Sequence, residues 1–334
     1  MGRAVYSMFG ARHVVSERRS FLHVLFSRVV NKPVVIVNPR SGGGLSEKRW
    51  AGVVGAISDG LGIFDTRFTE SPGHARTLAH EEAKKGRKLV VAMGGDGTIS
   101  EVADGLVAAG CDVEMGIIPR GTGGDFRRSL GIENELFTAA EKVRKCKPRK
   151  VDVGRVSYTT HDGIAASRHF LNIASVGFSS VVAERANEGS KRLGGRVSFL
   201  SAVARSLLNY DNAEVSVSID DGETRRMALL FAAVGNGRFF GGGMKICPEA
   251  ILDDGYFDFV TVGDLGRLEM LANFHRIYAG NHLSMKDVHS VRCRRLQLNP
   301  ADPKGEIPVE IDGETPGRLP AKFEIIQGAL RLRA

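Results

Sequence analysis

Apolar and polar positions follow a regular period along most of the chain, and that period changes near residue 155. Before this point, short apolar runs that indicate buried strands are separated by longer stretches with apolar residues at helical spacing. The predicted strands are Pro33–Val37, Asp65–Phe68, Lys88–Met93 and Met115–Pro119, and the predicted helices are Ser46–Asp59, His74–Lys85 and Ile99–Ala109. This alternation predicts a mainly parallel sheet covered by helices on both faces.

After about residue 155, alternating and β-rich runs dominate. These runs are Arg168–Ala174, Glu214–Ile219, Met227–Val234, Phe257–Val262, Val291–Leu298 and Lys322–Ile326, with helical stretches at Ser198–Leu208 and Leu265–Tyr278. Such a pattern predicts an antiparallel β-sandwich. We therefore predict an α/β plus β fold class, with a basic extension at 1–31, a doubly wound α/β domain at 32–155 and a β-sandwich domain at 156–334.

Net charge and cysteine content indicate which kinds of partner and which cellular compartment to expect. The 334 residues carry a formal net charge of +8, which favours anionic partners without choosing between nucleotides, nucleic acid and membrane surfaces. The four cysteines are scattered and form no C-x-x-C pair, which indicates a reducing, cytoplasmic compartment. The longest apolar run, Met227–Val234, is far shorter than the ~20 residues that span a bilayer, so membrane contact is expected to be peripheral.

The first 31 residues differ from the rest in charge. They contain five arginines and a single acid, Glu17, beside a short apolar stripe. Three interpretations stay open: a basic amphipathic surface anchor, a targeting leader, and a disordered extension.

A glycine-rich turn, Gly94–Thr98, joins a predicted strand to a predicted helix; we call it the second turn. Its glycines permit close approach of a ligand to the backbone, and the free N–H groups of a helix start favour phosphate. Thr98 and Glu101 also fit a capping box for the following helix. That structural interpretation explains these two residues but not three glycines around Asp96.

Two further turns follow other predicted strands: the first turn, Asn38–Gly44, and the third turn, Pro119–Arg128. Ligands of open α/β sheets bind at the carboxyl edge of the strands, so the three turns are expected to lie together. Together they predict a cleft for a polyphosphate, although no P-loop of the G-x-x-x-x-G-K-[ST] type is present.

With the acidic turns Asp253–Asp258 and Asp312–Glu314, these motifs resemble the diacylglycerol kinase catalytic family. This family also contains sphingosine and ceramide kinases and bacterial soluble lipid kinases. The matching pieces stand in family order over about residues 33–334: Asn38–Gly44, Thr69-Glu70, Gly73–Ala75, Gly94–Thr98, Pro119–Phe126, Gly235-Asn236, Gly241–Gly243, Pro248–Asp258 and Asp312–Glu314.

The resemblance implies that ATP, with Mg²⁺, binds between the two domains. The residues that would line the nucleotide are Asn38, Arg40, Ser41, Gly42, Thr69, Gly94, Gly95, Asp96, Gly97, Thr98, Glu101, Gly121 and Thr122. Asp125 would lie near the phosphates and the lipid hydroxyl. Asp254, with backbone carbonyls of Ile251 and Tyr256, would match a structural metal site of the family.

The catalytic carboxylate has two candidates, Asp96 and Glu314. We hypothesise that Glu314 is the base and that Asp96 organises Mg²⁺ and the nucleotide. One departure from the family pattern affects this region, because Gly124 stands where the family usually has an asparagine before the aspartate. The loss of that amide leaves the hydrogen bonding near Asp125 to backbone donors.

The resemblance implies transfer of the γ-phosphate of ATP to diacylglycerol, which gives phosphatidic acid. The alternatives are a sphingoid base or ceramide kinase, a soluble NAD kinase-type enzyme, and a non-catalytic nucleotide sensor. The NAD kinase type shares Gly94–Thr98 but should lack the acidic turn Asp253–Asp258. Expected partners are ATP and a lipid at a membrane surface, with a homodimer left open and no role for nucleic acid.

Overall fold

The computed structural model describes residues 32–334 apart from 122, 179, 181–209, 211 and 264. The predicted extension 1–31, the predicted helix 198–208 and the predicted nucleotide contact Thr122 therefore lie outside the described residues. Within the described part, a helix-covered parallel sheet is joined to a β-sandwich, which confirms the α/β plus β fold class.

The first part alternates strands and helices as the apolar pattern predicts. Its elements are β1 (Val34–Val37), α1 (Glu47–Leu61), β2 (Asp65–Phe68), α2 (His74–Lys84), β3 (Leu89–Gly94), α3 (Asp96–Ala109) and β4 (Glu114–Pro119). The strands are parallel in the order β2-β1-β3-β4. Two helices that the sequence pattern did not predict, α4 (Asp125–Leu130) and α5 (Leu136–Lys145), follow β4.

Alternation of side chains along β1 divides the first part into two core layers. Val34 and Ile36 join the cluster formed with α2 and α3, while Val35 and Val37 join the cluster formed with α1 and α5. All four side chains are fully buried. Burial of each side chain stabilises the fold by roughly 1.5–3 kcal/mol relative to an exposed position. Because both faces of β1 are buried, its sequence is one continuous apolar run.

The second part is built from antiparallel strands in two layers. Its elements are β5 (Arg149–Thr160), β6 (Ala165–Phe170), β7 (Ile173–Gly177), β8 (Ala213–Ile219), β9 (Arg225–Leu229), β10 (Phe231–Gly235), β11 (Phe257–Val262), α6 (Arg267–Ala279), a 3₁₀ turn (His282–Ser284), β12 (Val288–Cys293), β13 (Arg295–Pro300), β14 (Pro308–Ile311) and β15 (Glu314–Arg333). One layer has the order β12-β11-β10-β7-β14-β15, and the other joins β9, β8, β13, β15, β5 and β6. Phe170, Phe257 and Phe323 pack between them.

Three apolar runs that the sequence pattern predicts as single strands are each two strands. The run Arg168–Ala174 breaks at Leu171 and Asn172, because β6 pairs with β5 whereas β7 pairs with β10 and β14. The run Met227–Val234 breaks at Leu230, because β9 pairs with β8 whereas β10 pairs with β7 and β11. The run Val291–Leu298 breaks in the same way at Arg294. At each break the chain passes from one layer of the sandwich to the other. Hydrophobic periodicity alone does not predict where the chain changes layer.

The long strand β15 belongs to both parts of the molecule. Its middle pairs antiparallel with β13 and β5, and its last residues, Arg331–Arg333, pair parallel with β4. The parallel sheet and the sandwich are therefore continuous through one strand, which fixes the second and third turns close to the sandwich.

Candidate active site

The first turn is bonded to the second turn through Asn38. The Asn38 backbone N–H donates to Met93 O at 3.0 Å, and its side-chain Nδ2 donates to Thr98 Oγ1 at 3.0 Å. Thr69, at the end of β2, is attached to the same edge because its N–H donates to Val37 O at 2.9 Å. These bonds lie at the carboxyl ends of β1, β2 and β3, as expected for adjacent parallel strands.

Arg120 of the third turn binds the first turn with its guanidinium. Its Nη1 donates to Ser41 O at 2.5 Å and its Nη2 donates to Gly44 O at 2.9 Å. Its backbone N–H donates to Gly94 O at 2.7 Å in the second turn. Arg120 thus joins all three turns, whereas the exposed Arg40 has a bond within its own turn, from its backbone N–H to Asn38 Oδ1 at 2.9 Å.

The second and third turns touch backbone to backbone. A Cβ built on Gly121 would lie 2.7 Å from Gly95 Cα, and a Cβ on Gly123 would lie 2.7 Å from Asp96 Oδ2. The Gly95 backbone leaves no room for a Cβ at Gly121, whereas a Cβ at Gly123 would require the Asp96 carboxylate to move. Close approach therefore requires glycine at position 121, and the predicted convergence of the turns is confirmed for the described residues.

Asp96 joins the second turn to the start of α4. Its Oδ2 accepts from the N–H groups of Gly124 at 2.7 Å and Asp125 at 3.2 Å, and its Oδ1 accepts from Phe126 N at 3.3 Å. Gly124 has φ 68°, a left-handed conformation that a glycine adopts without strain. The backbone N–H of Gly124 is thus one of the donors to Asp96, and the side-chain amide of the family's asparagine has no counterpart at this position.

The alternative interpretation of Thr98 and Glu101 as a capping box does not agree with the observed helix start. Helix α3 begins at Asp96, with Gly95 as its N-cap and no side-chain cap bond. Glu101 instead accepts from the N–H groups of Gly73 at 2.9 Å and Ala75 at 3.0 Å. It therefore satisfies the free donors at the start of α2, and its role beside the nucleotide stays a prediction.

Asp125 connects the third turn to the sandwich. Its Oδ2 accepts from Gly242 N at 2.8 Å, and its Oδ1 is paired with Arg128 Nη1 at 2.8 Å. Burial raises the pKa of Asp125, opposed by the Gly242 N–H and by Arg128. Arg128 Nη1 also donates to Gly123 O at 2.5 Å, so one guanidinium holds both the backbone and the carboxylate of this turn.

A cavity of about 200 Å³ lies between the two parts, and four acidic residues line it. These are Asp96, Asp125, Glu310 and Asp312. Glu310, on β14, is 5% exposed and accepts from Ser175 Oγ and, at 2.9 Å, from Gly313 N. Burial raises the pKa of Glu310 to about 7. The sequence analysis missed Glu310, because it lies within the strand that precedes the acidic turn Asp312–Glu314, and only the turn itself was recognised as a motif.

Asp312 binds the backbone between β6 and β7, where Leu171 and Asn172 lie. Its carboxylate accepts from the N–H groups of Leu171, Asn172 and Ile173 at 2.9–3.1 Å and from Ser100 Oγ at 2.6 Å. These donors explain why the predicted strand Arg168–Ala174 is interrupted. The Asp312 bonds join α3 of the first part to the sandwich, and burial raises the pKa of this carboxyl despite them.

Glu314 begins β15 directly beside the cavity but does not line it. Its Oε2 accepts from Arg168 Nη1 at 2.7 Å, and its side chain is 43% exposed. Burial alone would lower the pKa of Arg168, but the ionised Glu314 raises it above its ordinary value. The structure therefore separates the two candidate bases: Asp96 lies inside the cavity and Glu314 lies next to it.

The predicted metal residues lie apart from this cavity. Asp254 Oδ1 accepts from Tyr256 N at 3.0 Å, Asp254 Oδ2 is paired with Arg292, and Ile251 is exposed. Across the described ranges, no group of three or more His, Cys, Asp and Glu residues is arranged to hold a metal ion. In the same part of the chain, no helix is long and apolar enough to cross a membrane.

Fold and cleft together define a two-part protein in which a helix-covered parallel sheet and a β-sandwich enclose an acidic cavity. Residues 32–156 match the diacylglycerol kinase catalytic domain, and residues 172–334 match the YegS C-terminal NAD kinase beta sandwich-like domain. A crystal structure from Bacillus anthracis str. Sterne is similar with a TM-score of 0.72 at 26% identity, over 91% of this chain and 97% of that one.

Curated relatives match over most of their length. The diacylglycerol kinase of Mycobacterium tuberculosis (strain CDC 1551 / Oshkosh) is 29% identical over 91% of this chain and 95% of its own. The "Probable lipid kinase YegS-like" of Pseudomonas savastanoi pv. phaseolicola (strain 1448A / Race 6) is 30% identical over 80% of this chain and 83% of its own. The chain therefore belongs to the diacylglycerol kinase family, which includes the YegS-like lipid kinases.

Proposed function

We propose that this protein transfers the γ-phosphoryl group of ATP to the hydroxyl of diacylglycerol and so forms phosphatidic acid. The observation that carries the proposal is the convergence of three glycine-containing turns beside a cavity lined by carboxylates from both parts of the molecule. Phosphoryl transfer depends mainly on alignment and charge stabilisation, and such a cleft supplies groups for both.

The nucleotide would lie along the turns at the carboxyl edge of the parallel sheet. The first turn and Gly94–Gly97 offer backbone N–H groups beside a helix start, where phosphate binds favourably. Arg120 keeps the first turn in place through two carbonyl bonds, so those donors are preorganised. The residues expected to contact ATP remain those named from the family resemblance, from Asn38 and Thr69 to Gly121.

Mg²⁺, which the family implies, fits the oxygen donors of the cavity. A carboxylate has about four acceptor positions, of which Asp96 uses three and Asp125 uses two in protein bonds. Asp96 and Asp125 would hold the ion through the remaining hard oxygen positions. When bound, Mg²⁺ neutralises phosphate charge.

Glu314 is the proposed base. The lipid hydroxyl oxygen forms a bond to the γ-phosphorus, the bond to the bridging oxygen breaks, and ADP leaves with that electron pair. The hydroxyl proton passes to the Glu314 carboxylate. Both oxygens of Asp96 are engaged by backbone N–H groups, whereas Glu314 is half-exposed at the edge of the cavity, where a lipid headgroup can approach.

The choice of diacylglycerol follows from the names of the curated relatives, several of which are diacylglycerol kinases. Sphingoid bases and ceramide remain the alternative acceptors, and a lipid acceptor implies peripheral association with a membrane. A cytoplasmic location stays a prediction, as does a homodimer.

The deciding experiment is incubation of the protein with labelled ATP and Mg²⁺ and separate mixed micelles of diacylglycerol, sphingosine and ceramide. We expect label in phosphatidic acid, and none after Glu314→Gln substitution. Label in NAD, supplied as a soluble acceptor, would favour the NAD kinase-type alternative. ATP binding without turnover on any acceptor would identify a sensor. Full turnover of Glu314→Gln would move the role of base to Asp96.

A further inference from the structure

Negative charge is concentrated around the turn at residues 253–256, which we call the Asp254 loop. Three acidic residues, Asp152, Asp254 and Asp258, lie around it, and the N–H groups of Gly255 and Gly328 donate to Asp152 at 2.6 and 2.7 Å. The side chains of Asp254 and Asp258 lie close enough to repel each other electrostatically. Clustered carboxylates of this kind need a compensating positive charge.

Arg292 supplies a positive charge at this place. It lies on β12 directly opposite Asp258 of β11, and its guanidinium pairs with Asp254 Oδ2. The same guanidinium lies over the ring of Tyr256, with its Cζ 4.6 Å from the ring centroid. Arg294 contacts that ring as well, at 4.7 Å. Tyr256 is therefore in contact with two arginines.

The donor set does not fit the divalent cation that the family resemblance implies. A hard cation such as Mg²⁺ or Ca²⁺ takes six or more oxygen ligands. Asp254 would be the carboxylate ligand of that site, but its Oδ1 accepts from Tyr256 N and its Oδ2 is bonded to Arg292. A cation at Asp254 Oδ2 would have to displace a guanidinium of the same sign.

We propose that Arg292 takes the place of the structural metal ion, so that the Asp254 loop of this protein is held by an internal guanidinium and does not require a divalent cation. Tyr256 holds the guanidinium from one side through a cation–π contact, and Asp254 binds it from the other. The proposal concerns the stability of the sandwich and is independent of the proposed catalysis.

The test is thermal unfolding of the full chain without ATP, in excess EDTA and in millimolar Mg²⁺ or Ca²⁺. We expect the wild-type Tm to differ by less than about 1 °C between these conditions. We expect Arg292→Gln to lower the Tm by about 2–4 °C in all of them, the shift that a loss of one modest interaction produces in a chain of this size. The matched control is Arg155→Gln, which removes a similarly exposed arginine paired with Glu324; its Tm should change by less than about 1 °C.

A wild-type Tm that falls in EDTA and recovers with Mg²⁺ would overturn the proposal if Asp254→Asn abolishes the response. A response that persists in Asp254→Asn but disappears in Asp96→Asn would assign the ion to the cleft and agree with the proposal. An Arg292→Gln protein with the Tm of the Arg155→Gln control would also overturn it. None of these readings depends on kinase activity.

Discussion

Arg168 Nη1 and Glu314 Oε2 are joined by a 2.7 Å ion-pair hydrogen bond between β6 and β15. The arginine side chain is only 11% exposed, and the neighbouring His169 is bonded through Nδ1 to Asp104 Oδ1 at 2.8 Å. Asp104 in turn pairs with Arg76 of α2 at 2.5 Å. The candidate base is therefore held by Arg168, and the next residue of β6, His169, connects the sandwich to Asp104 of α3 and, through it, to Arg76 of α2.

Replacing Arg168 by glutamine should lower kcat for lipid phosphorylation by roughly 10–100-fold, because misplacement of a reacting group by about 1 Å has effects of that size. The KM for ATP should change little, since Arg168 lies away from the three turns. Arg168→Lys keeps the charge but not the planar geometry, and we expect an intermediate kcat. Steady-state kinetics in mixed micelles measures both constants.

The control for this prediction is Arg155→Gln, because Arg155 of β5 forms a more exposed ion pair with Glu324 of β15. Its kcat should remain at the wild-type value. An Arg168→Gln enzyme with unchanged kcat would contradict a positioning role for this arginine.

Alanine at Gly121 should destabilise the protein by about 1–3 kcal/mol, because its Cβ would lie 2.7 Å from Gly95 Cα and the turns would have to separate. ATP affinity should fall in parallel. Gly97→Ala is the matched comparison: its Cβ has open space within helix α3, so a small gain of about 0.5–1 kcal/mol is expected. Urea unfolding gives both values, and equal effects would refute the close-approach argument.

Loss of the Asp96 carboxylate should have a structural effect as well as a catalytic one. Asp96→Ala leaves the N–H groups of Gly124, Asp125 and Phe126 without their acceptor, which should cost about 1–2 kcal/mol of stability. Asp96→Asn keeps an acceptor oxygen and should be more stable than Asp96→Ala, yet equally inactive. Unfolding curves and single-turnover assays separate the two effects, and an active Asp96→Asn enzyme would exclude a charge-dependent role.

Glu310 predicts a pH dependence of stability. Its pKa is about 7 in the folded protein and near 4.5 when unfolded, so the folded state binds the proton more tightly. The stability contributed by the protonated form is present below about pH 4.5 and is lost as pH rises through 7. Between about pH 5 and 8, wild type should lose on the order of 2 kcal/mol relative to Glu310→Gln. Urea unfolding at both values measures this, and parallel pH profiles would refute it.

Local patterning predicts the four strands of the α/β part to within about one residue, because β1, β3 and β4 are almost continuously buried apolar runs and each strand is followed by a glycine-containing turn. β2 is predicted with its observed bounds, Asp65–Phe68. The helices α4 and α5 were missed because α4 has only six residues and α5 follows it closely, within a run dominated by charge.

The convergence of the turns was predictable where a motif sits at a strand end, as with Asp96, Gly121 and Asp125. What could not be predicted is which partner each polar group has, since those partners are distant in sequence. Glu101 fits a local capping box, yet it binds donors 26 and 28 residues away. Likewise, Arg292 becomes the counter-charge of Asp254 only through the pairing of β11 with β12.

The shared strand β15 also constrains how a newly made chain can acquire this structure. Until Arg331–Arg333 has been synthesised, β4 has an unpaired edge, and Glu114 lacks the two arginines that bind it. On the ribosome, all three glycine-containing turns are therefore synthesised long before the last residues of β15, which pair with the free edge of β4. The edge of β4 is therefore completed only after residues 331–333 have been synthesised, which couples the maturation of the two parts.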